Sequence, residues 1–380
     1  MSASRKKKKK HKVIIFAIEF FVLIILLAAL FVWSKYQKLD SRPDFIGTDD
    51  YMNTDIDETA QEVLKGYTNI ALFALDNRSN GNFESGNSDV IMVASINNDT
   101  KEVRLVSVYR DTFLNVNDDG TFNFRKANYA YNKGGAEQAV KMLNRNLDLD
   151  ISDYVVVDFQ AVTEAVDLLG GVEIEIDAKE AEWMNFYITE TAQVTDHEAH
   201  LIDTPGVYTL DGVQATSYCR IRYTAGQDFK RAQRQREVLS KMVEKAKKAD
   251  LLTINKIVDS VLDDVSTNFT AGEILSLVSQ LMSYELADTT GFPFRLTNVT
   301  LGNKGDCVIP CDLSSNVTDL HKYLFNDYDY TPSNTVQKHS EAIIAESGKG
   351  AQDAVDTGVE ADDYGKSAKP QESGSDSDAQ

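Results

Sequence analysis

The segment NIALFAL, residues Asn69–Leu75, decides the fold class of this chain. It is almost continuously apolar, which is typical of a strand buried on both faces of a sheet. Two more strand-like segments follow, DVIMVASI (89–96) and EVRLVSVY (102–109), and the turn-rich NNDTK between them predicts a hairpin. Segments with helical spacing, such as 134–147 and 160–171, then alternate with strands. We therefore expect an α/β (α+β) sandwich, with a central mixed β-sheet and helices on both faces.

The start of the chain predicts a membrane anchor. A basic segment at 1–12 precedes an apolar segment at 13–34, in which Glu19 is the only charged residue. At about 1.5 Å per residue such a helix crosses the roughly 30 Å hydrocarbon core of a bilayer, and it is longer than the apolar region of a cleaved signal peptide. The positive-inside rule places residues 1–12 in the cytoplasm. We expect a single transmembrane helix in the cell membrane, with the rest of the protein outside the cell.

Composition divides the remaining chain into four parts. Residues 35–66 are expected to form a polar extracellular linker with one short amphipathic helix, and 67–250 the main folded domain. Residues 251–331 are expected to form a helical and strand extension packed on that domain. Residues 332–380 are polar, acidic and rich in Ser, Gly, Asp and Ala, so we expect a disordered tail, because such a segment buries too little apolar surface to offset the entropy of ordering.

The charge balance excludes one broad class of function. The chain holds 59 acidic and 39 basic residues, for a formal net charge of -20. A general nucleic-acid-binding protein normally presents a broad basic face, so we expect no nucleic-acid partner. A local cluster of basic residues is all the more informative in such an acidic chain.

Arginine is concentrated in the segment CRIRYTAGQDFKRAQRQR (219–236). Arg220 and Arg222 alternate, so in an extended segment their side chains project to one side. Asp228 is placed to cap the long helix that follows. Cysteine 219 has no evident disulfide mate and is expected to be a buried small hydrophobe.

The helix that starts near Asp228 begins with basic residues. Arg231 and Arg234 are three residues apart, on neighbouring positions of one helix face. Cations at a helix N-terminus are unfavourable by roughly 0.3–1 kcal/mol each, and one acid does not balance them. A bound phosphate gripped by arginine forks would satisfy both the helix dipole and the side chains. The alternative is a solvated basic face that pairs with the protein's many acids. In either case, Arg236 is expected to be an ordinary surface residue.

Two more polar clusters follow predicted strands. Asp76 and Arg78 come directly after the first strand, and Asp89 opens the second. The two carboxylates could share a hard cation such as Mg2+, or each could cap a turn, as Asp commonly does. Arg110 and Asp111 end the third strand and form either part of a site or a local structural pair.

Cys307 and Cys311, in the segment CVIPC, are expected to form a disulfide outside the cell. The alternative is a zinc site, for which a second Cys or His pair is lacking nearby.

Together, the three polar clusters resemble the motifs of the LytR–CpsA–Psr family of membrane-anchored bacterial cell-wall ligases. The family pattern G-x-D-x-R resembles ALDNR (74–78), R-S-D resembles NSD (87–89), and [IV]-P-R-D resembles VYRD (108–111). The pattern R-x-R…D-x-x-R-x-x-R-Q resembles RIR…DFKRAQRQ (220–235) in order and spacing. With further likeness around KANYAY.KGG and LLGGV, the resemblance covers roughly 69–249.

The resemblance implies an Mg2+-dependent phosphotransferase. Such an enzyme transfers a glycopolymer, for example teichoic acid or capsule, from a polyprenyl-pyrophosphate carrier to peptidoglycan, and the polyprenyl chain enters an apolar pocket between sheet and helices. The implied metal ligands are Asp76 and Asp89, and the implied catalytic residues are Asp76, Arg110, Arg222 and Asp111. The implied pyrophosphate contacts are Arg78, Arg110, Arg220, Arg222, Arg231, Arg234 and Gln235. Asp111 or Asp228 is a candidate to orient the acceptor hydroxyl.

Three residues depart from the family pattern. Ala74 replaces Gly, a small change that is expected to leave the strand intact. Tyr109 replaces the Pro before Arg110, which puts the rigidity of that loop in question. Asn87 replaces the Arg of R-S-D, which removes one expected phosphate contact.

Two functions other than glycopolymer transfer stay open at this point. One is a non-catalytic surface protein that binds anionic glycolipid and modulates wall assembly. The other is a polyprenyl-pyrophosphate hydrolase, which would use the same arginines with water as the acceptor. The enzyme hypotheses require that the three polar clusters converge on one pyrophosphate.

Overall fold

A single mixed sheet organises the part of the chain that this computed structural model describes, namely residues 51–75, 83–84, 86–223 and 227–355 and the strand at 40–41. The strands are β1 (Asp40–Ser41), β2 (Tyr67–Leu75), β3 (Ser88–Asn97), β4 (Glu102–Val108), β5 (Phe113–Asn115), β6 (Phe124–Lys126), β7 (Asp153–Val157), β8 (Val172–Ile176), β9 (Gly206–Leu210), β10 (Val265–Thr267), β11 (Glu285–Phe292), β12 (Leu296–Thr300) and β13 (Asp306–Pro310). The helices are α1 (Glu58–Leu64), α2 (Asn128–Leu147), α3 (Phe159–Leu168), α4 (Ala178–Thr195), α5 (Gly212–Arg220), α6 (Gln227–Ala246), α7 (Leu251–Val261), α8 (Ala271–Ser279), α9 (Leu313–Phe325) and α10 (Asn334–Ser347).

Seven strands form the main sheet in the order β1-β10-β7-β2-β3-β4-β11. The central strand β2 is antiparallel to β3 and parallel to β7, and β3 pairs antiparallel with β4 through the predicted hairpin. The pairs β5-β6, β8-β9 and β12-β13 form small separate sheets among the described residues. The predicted α/β sandwich with a mixed central sheet is confirmed.

The nearly continuous apolar sequence of β2 reflects apolar surroundings on both of its faces, a core on one and a cavity on the other. Ala71, Phe73 and Leu75 belong to the largest core cluster, which also holds the buried faces of α2, α9 and α10. Leu72 and Ala74 point to the opposite face and line a cavity beneath other helices. Since successive side chains of a strand point to opposite faces, one face of β2 packs in the core and the other lies towards the cavity.

We expected residues 251–331 to form an extension packed on the main domain, but two strands of this segment belong to the main sheet itself. β10 pairs antiparallel with β7, and β11 pairs parallel with β4. Both strands extend the sheet that begins in the segment 67–250, so the two segments share one fold. Short strands such as β10, with three residues, have too little periodicity to be recognised in sequence.

The expected disordered tail is wrong for residues 332–355. α10 covers Asn334–Ser347, Ser333 caps it, and its apolar residues Val336 and Ile343 are fully buried in the main core. The Asp148 carboxylate receives Ser333 N–H at 2.8 Å and Ser333 O–H at 2.7 Å, which fixes the start of the helix. Further contacts hold the helix, since Thr335 N–H donates to Asp55 at 2.9 Å and Ser340 Oγ donates to Asp312 at 2.9 Å. Residues 356–380 lie outside the described residues.

The predicted anchor at 13–34 also lies outside the described residues, together with residues 35–39 and 42–50 of the linker. Among the residues that the structure describes, no helix has the length and apolar character needed to cross a membrane. The predicted short amphipathic helix of the linker is α1, which buries Ala60 and Leu64.

The expected disulfide between Cys307 and Cys311 is wrong, because all three cysteines are free. Cys307 lies in β13 and Cys311 directly follows it. Four residues of extended chain separate their Cα atoms by roughly 13 Å, whereas a disulfide needs about 4.4–6.8 Å. Both side chains are buried, and burial raises the pKa of each thiol.

Candidate functional site

The candidate site lies at the edge of the sheet where β4 ends and β3 begins. Met92 pairs with Ser107 in the antiparallel β3–β4 ladder, and the same register, extended by three residues, places Asp89 opposite Arg110. These two side chains form an ion pair. Residues 21 positions apart in the chain are thus brought together by hairpin register alone.

Helix α6 brings Asp228 and Arg231 to the same place. Helix α6 begins at Gln227, so Asp228 lies inside its first turn. The expectation that Asp228 caps this helix is therefore wrong, because a capping residue precedes the first helical residue. Asp228 Oδ1 lies 3.2 Å from Arg222 Nε, 3.2 Å from Arg231 Nη2 and 4.0 Å from Arg110 Nε. One carboxylate therefore holds three of the predicted arginines in one cluster.

The charges in this cluster perturb one another. Burial opposes ionisation of Asp228, but the positive charges of Arg231, Arg110 and Arg222 outweigh it and hold the pKa of Asp228 below its usual value. Burial would lower the pKa of Arg110, but the carboxylates of Asp89, Asp228 and Asp111 raise it overall. Burial, followed by the charge of Arg110, lowers the pKa of Arg231. Repulsion between these arginines is offset by acids, and an incoming phosphate would meet arginines held close together.

An apolar cavity of about 440 Å³ opens beside this charged cluster. It lies between the sheet and helices α3, α5, α6 and α7, where the pocket for a polyprenyl chain is expected. Much of its wall is aliphatic, including Leu72, Val155, Val157, Val238, Leu239 and Met242. Its polar wall comes from Asp89, Arg110, Arg220, Arg222, Arg231 and Gln235. The cavity therefore joins a hydrocarbon-like interior to a cationic end, the arrangement that suits a lipid with a phosphorylated head.

Arg220 lines the cavity but is already engaged by neighbouring side chains. It is the last residue of α5, so the expected extended segment does not include it. Its guanidinium donates to Glu190 Oε2 and Thr191 Oγ1, each at 2.9 Å. It also stacks over the ring of Tyr187, 5.1 Å from the centroid. This fixed position makes Arg220 a preoriented part of the cavity wall.

Arg234 lines neither this cavity nor the polar cleft described below, so it is removed from the candidate pyrophosphate contacts. It is 1% exposed, donates from Nε to Glu180 Oε1 at 2.9 Å, and donates from Nη1 to the Ile221 carbonyl at 3.2 Å. By holding that carbonyl it positions the neighbouring Arg222. Arg236 is also 1% exposed, so the expectation that it is ordinary surface is wrong.

Gln235 does line the cavity, and its side-chain amide donates to the Cys219 carbonyl at 3.2 Å. This bond ties the middle of α6 to the end of α5. Cys219, which was expected to be a buried small hydrophobe, is partly buried and packs against a core cluster.

Tyr109, which stands where the family pattern has Pro, is firmly packed. Its ring lies edge-on to Phe229 of α6, with 4.7 Å between centroids, and its N–H donates to the Phe292 carbonyl at 3.0 Å. A Cβ at Gly291 would lie 2.0 Å from Tyr109 Oη, so the ring occupies space that only glycine leaves open. Tyr109 therefore fixes the strand end that carries Arg110 to the helix that carries Arg231.

Asp76 and Arg78 lie outside the described residues, and the Mg2+ site that Asp76 and Asp89 were expected to form stays a prediction. Among the residues that the structure describes, no group of three or more His, Cys, Asp or Glu side chains is placed to hold a metal ion.

A second cavity, of about 670 Å³, was not predicted from the sequence. We call it the polar cleft, and it is lined by Asn87, Asp89, Arg110, Asp111, Arg125, Lys126, Asn128, Tyr129, Asn303 and Lys304. It shares Asp89 and Arg110 with the apolar cavity. Its lining comes from segments as far apart as residues 87 and 304, so no local spacing in the sequence points to it.

Comparison with known proteins agrees with the motifs and the geometry. A model of the LytR_cpsA_psr family matches residues 34–304, which is more than half of the chain. The chain belongs to the LytR_cpsA_psr family. Within this family, TagV of Bacillus subtilis, a polyisoprenyl-teichoic acid–peptidoglycan teichoic acid transferase, is 26% identical over 251 residues, or 66% of this chain and 62% of TagV.

TagU of Enterococcus faecalis, which carries the same transferase name, is 31% identical over 201 residues, or 52% of this chain and 60% of TagU. The chain thus spans less than two thirds of the length of these curated relatives. A crystal structure of a Streptococcus agalactiae protein matches 73% of this chain and 94% of its own, with a TM-score of 0.58 and 24% identity. That likeness supports the fold of this LytR_cpsA_psr protein.

Proposed function

We propose that the protein transfers a glycopolymer from a polyprenyl-pyrophosphate carrier to peptidoglycan, forming a phosphodiester link at the outer face of the membrane. One observation carries the proposal: an apolar cavity ends at a cluster in which Arg110, Arg222 and Arg231 surround one carboxylate. The cavity suits the hydrocarbon chain of the carrier, and the arginines suit its pyrophosphate. The teichoic acid transferases among the relatives act in the same chemical class.

In the proposed reaction, a hydroxyl oxygen of the acceptor forms a bond to the sugar-side phosphorus. The bond from that phosphorus to the bridging oxygen breaks, and polyprenyl monophosphate leaves with the bridging oxygen. Such a transfer depends mainly on positioning and on neutralising charge on the phosphate oxygens. Arg110, Arg222 and Arg231 are placed to do both, since each lines the cavity and is held by Asp228.

Asp111, rather than Asp228, is the better candidate to orient the acceptor hydroxyl and take its proton. Asp228 is enclosed by three arginines that keep its pKa low, which makes it a poor base. Asp111 lines the polar cleft, with Oδ1 3.9 Å from Arg110 Nε and 3.4 Å from Lys126 Nζ. It is therefore open to a second substrate.

The residues fit a requirement for Mg2+. Asp89 offers a carboxylate that lines both cavities, and Mg2+ is usually held by one or two carboxylates together with substrate phosphate. We propose that Asp89 holds the ion with Asp76, which lies outside the described residues. When bound, the ion supplies positive charge for phosphate oxygens; the chain's own arginines bind and orient the carrier.

The test uses the full chain in detergent micelles with a polyprenyl-pyrophosphate oligosaccharide, peptidoglycan and either MgCl2 or EDTA. Release of polyprenyl monophosphate and attachment of sugar to peptidoglycan are measured together. Arg222→Ala is expected to lower attachment at least about 100-fold, because a charge-stabilising donor is lost. The matched control is Arg295→Ala, which removes an arginine from a half-exposed ion pair with Asp319, outside both cavities.

Three outcomes would contradict the proposal. Release without attachment would identify a hydrolase, and carrier binding with neither product would identify a non-catalytic glycolipid-binding protein. Equal activity in Arg222→Ala and Arg295→Ala would show that the arginine cluster is not the reaction site.

A further inference from the structure

We infer that the polar cleft is the acceptor site, which takes a hydroxyl-bearing glycan with anionic substituents such as the carboxylates of wall peptides. The inference rests on the proposed function, since it divides the two substrates of that reaction between two cavities. It assigns binding roles to Arg125, Asn128, Tyr129 and Asn303.

The relative position of the two cavities is the first argument. Asp89 and Arg110 are the residues that line both, so they form the wall between the apolar cavity and the polar cleft. In phosphoryl transfer the attacking and leaving oxygens lie roughly in line, on opposite sides of the phosphorus. The leaving group carries the polyprenyl chain, which the apolar cavity accommodates. The attacking hydroxyl must then approach from the other side, where the polar cleft lies.

The side chains of the polar cleft match a carbohydrate. Asn87, Asn128 and Asn303 offer amide groups that both donate and accept, as sugar hydroxyls require. Tyr129 is 41% exposed at the start of α2, with an apolar ring face and a polar tip. The apolar cavity has no comparable set of amides, since Gln235 is its only Asn or Gln side chain among the described residues.

The charged side chains that line the polar cleft indicate which kind of glycan it binds. Four basic side chains line the polar cleft against two carboxylates, in a chain whose net charge is -20. Arg125 lines the cleft and, among the described residues, has neither an ion-pair partner nor a side-chain hydrogen bond. Lys126 and Lys304 are partly engaged, by Asp111 at 3.4 Å and by Glu346 of α10. An acceptor with carboxylates would gain from this excess of positive charge.

The far wall of the cleft is built by the C-terminal part of the fold. Asn303 and Lys304 lie in the turn between β12 and β13, and Glu346 of α10 pairs with Lys304. Lys304 Nζ also lies 4.8 Å from the centroid of the Phe113 ring. The cleft is therefore a built cavity with a fixed wall, to which α10 contributes through Lys304.

Steady-state transfer by the full chain tests the assignment, with the acceptor and donor concentrations varied separately. The acceptor probe is the soluble disaccharide-peptide mixture released from peptidoglycan by a muramidase, and the donor is polyprenyl-pyrophosphate oligosaccharide. Arg125→Gln and Tyr129→Ala are each expected to raise the acceptor KM about tenfold, because a hydrogen bond to a charged group or a stacking contact is lost. The donor KM is expected to change less than twofold.

Matched controls are Arg295→Gln and Tyr328→Ala, which replace exposed residues outside the cleft and should leave both KM values unchanged. An unchanged acceptor KM in both cleft variants would overturn the inference. A raised donor KM instead would show that the cleft holds the donor's sugars.

Direct binding of the disaccharide-peptides, measured by calorimetry, keeps the two proposals separate. If the wild-type chain fails to catalyse transfer, the proposed function fails, yet binding that is lost in Arg125→Gln would still support the cleft. If transfer occurs but the cleft variants bind and use the acceptor normally, only the cleft assignment fails. Unfolding midpoints equal to that of the wild-type chain exclude misfolding as the cause.

Discussion

Replacing Arg234 with methionine tests whether this arginine supports the site from within the core. Its guanidinium pairs with Glu180 at 2.9 Å, and the two side chains are only 2% and 7% exposed. The same guanidinium donates to the Ile221 carbonyl at 3.2 Å. Arg234→Met therefore leaves a buried carboxylate without its counter-charge and releases the backbone just before Arg222.

The expected loss follows from these contacts. Breaking a buried ion pair by removing one partner costs about 3–5 kcal/mol, because the other charge stays buried. For a domain of this size, such a loss lowers Tm by on the order of 10 °C. Glu180 also accepts a hydrogen bond from the Asp177 N–H at 3.1 Å. We therefore combine Arg234→Met with Glu180→Gln, because glutamine keeps this capping bond and removes the buried charge. The double variant is expected to regain most of the lost stability.

Urea unfolding of the purified full-length chain measures these free energies. The control is Arg295→Met, which breaks a half-exposed pair with Asp319 and is expected to cost less than about 1 kcal/mol. If Arg234→Met is as stable as Arg295→Met, the buried-pair reasoning is refuted. The same conclusion follows if the double variant is no more stable than Arg234→Met alone.

Two further changes test the packing around the site and the pH dependence of stability. In Gly291→Ala the new Cβ would lie 2.0 Å from Tyr109 Oη, so thermal unfolding should show a loss of stability of about 1–3 kcal/mol. The control is Gly272→Ala, whose new Cβ meets nothing nearer than 3.9 Å and which should show no loss. Equal unfolding midpoints for the two variants would contradict the packing argument. Burial lowers the pKa of His321 to about 4, below its unfolded value near 6.5, so the folded state excludes a proton that the unfolded state binds. Its contribution is complete above about pH 6.5 and is lost towards pH 4, by about 1.4 kcal/mol per pH unit. Burial also lowers the pKa of His339 to about 4, so in urea unfolding at pH 7 and pH 5 the His321→Gln variant should lose less stability than the wild type and keep the part due to His339. Parallel losses in wild type and variant would show that His321 is not the titrating group.

The sheet could be predicted because the apolar residues within each main strand indicate that the strand is buried. Residues 69–75 are apolar at nearly every position, and the structure packs one face of that strand in the core and turns the other towards the apolar cavity. α10 could not be predicted in the same way. Only two of its apolar residues, Val336 and Ile343, are fully buried, and a polar composition around them predicts disorder unless a core is already present.

The site was predictable in its residue types and less so in their arrangement. Arg110, Arg222 and Arg231 converge beside an apolar cavity, as the motifs imply. Asp228 was expected to cap a helix, yet it is the carboxylate at which these arginines meet, and Arg110 is more than a hundred residues away in the chain. Long-range ion pairs leave no local spacing for sequence reasoning to detect.

The fold class, the concentration of arginine and the likeness to one family could all be inferred from the sequence, because they depend on periodicity and on residues close together in the chain. Which arginines line the cavity depends on how distant elements pack. Arg231 and Arg234 are three residues apart on one helix, yet Arg231 lines the cavity and Arg234 is buried against Glu180. Helical spacing places two side chains on neighbouring positions, but the elements packed against each position decide whether a charge lines a cavity or meets a buried partner.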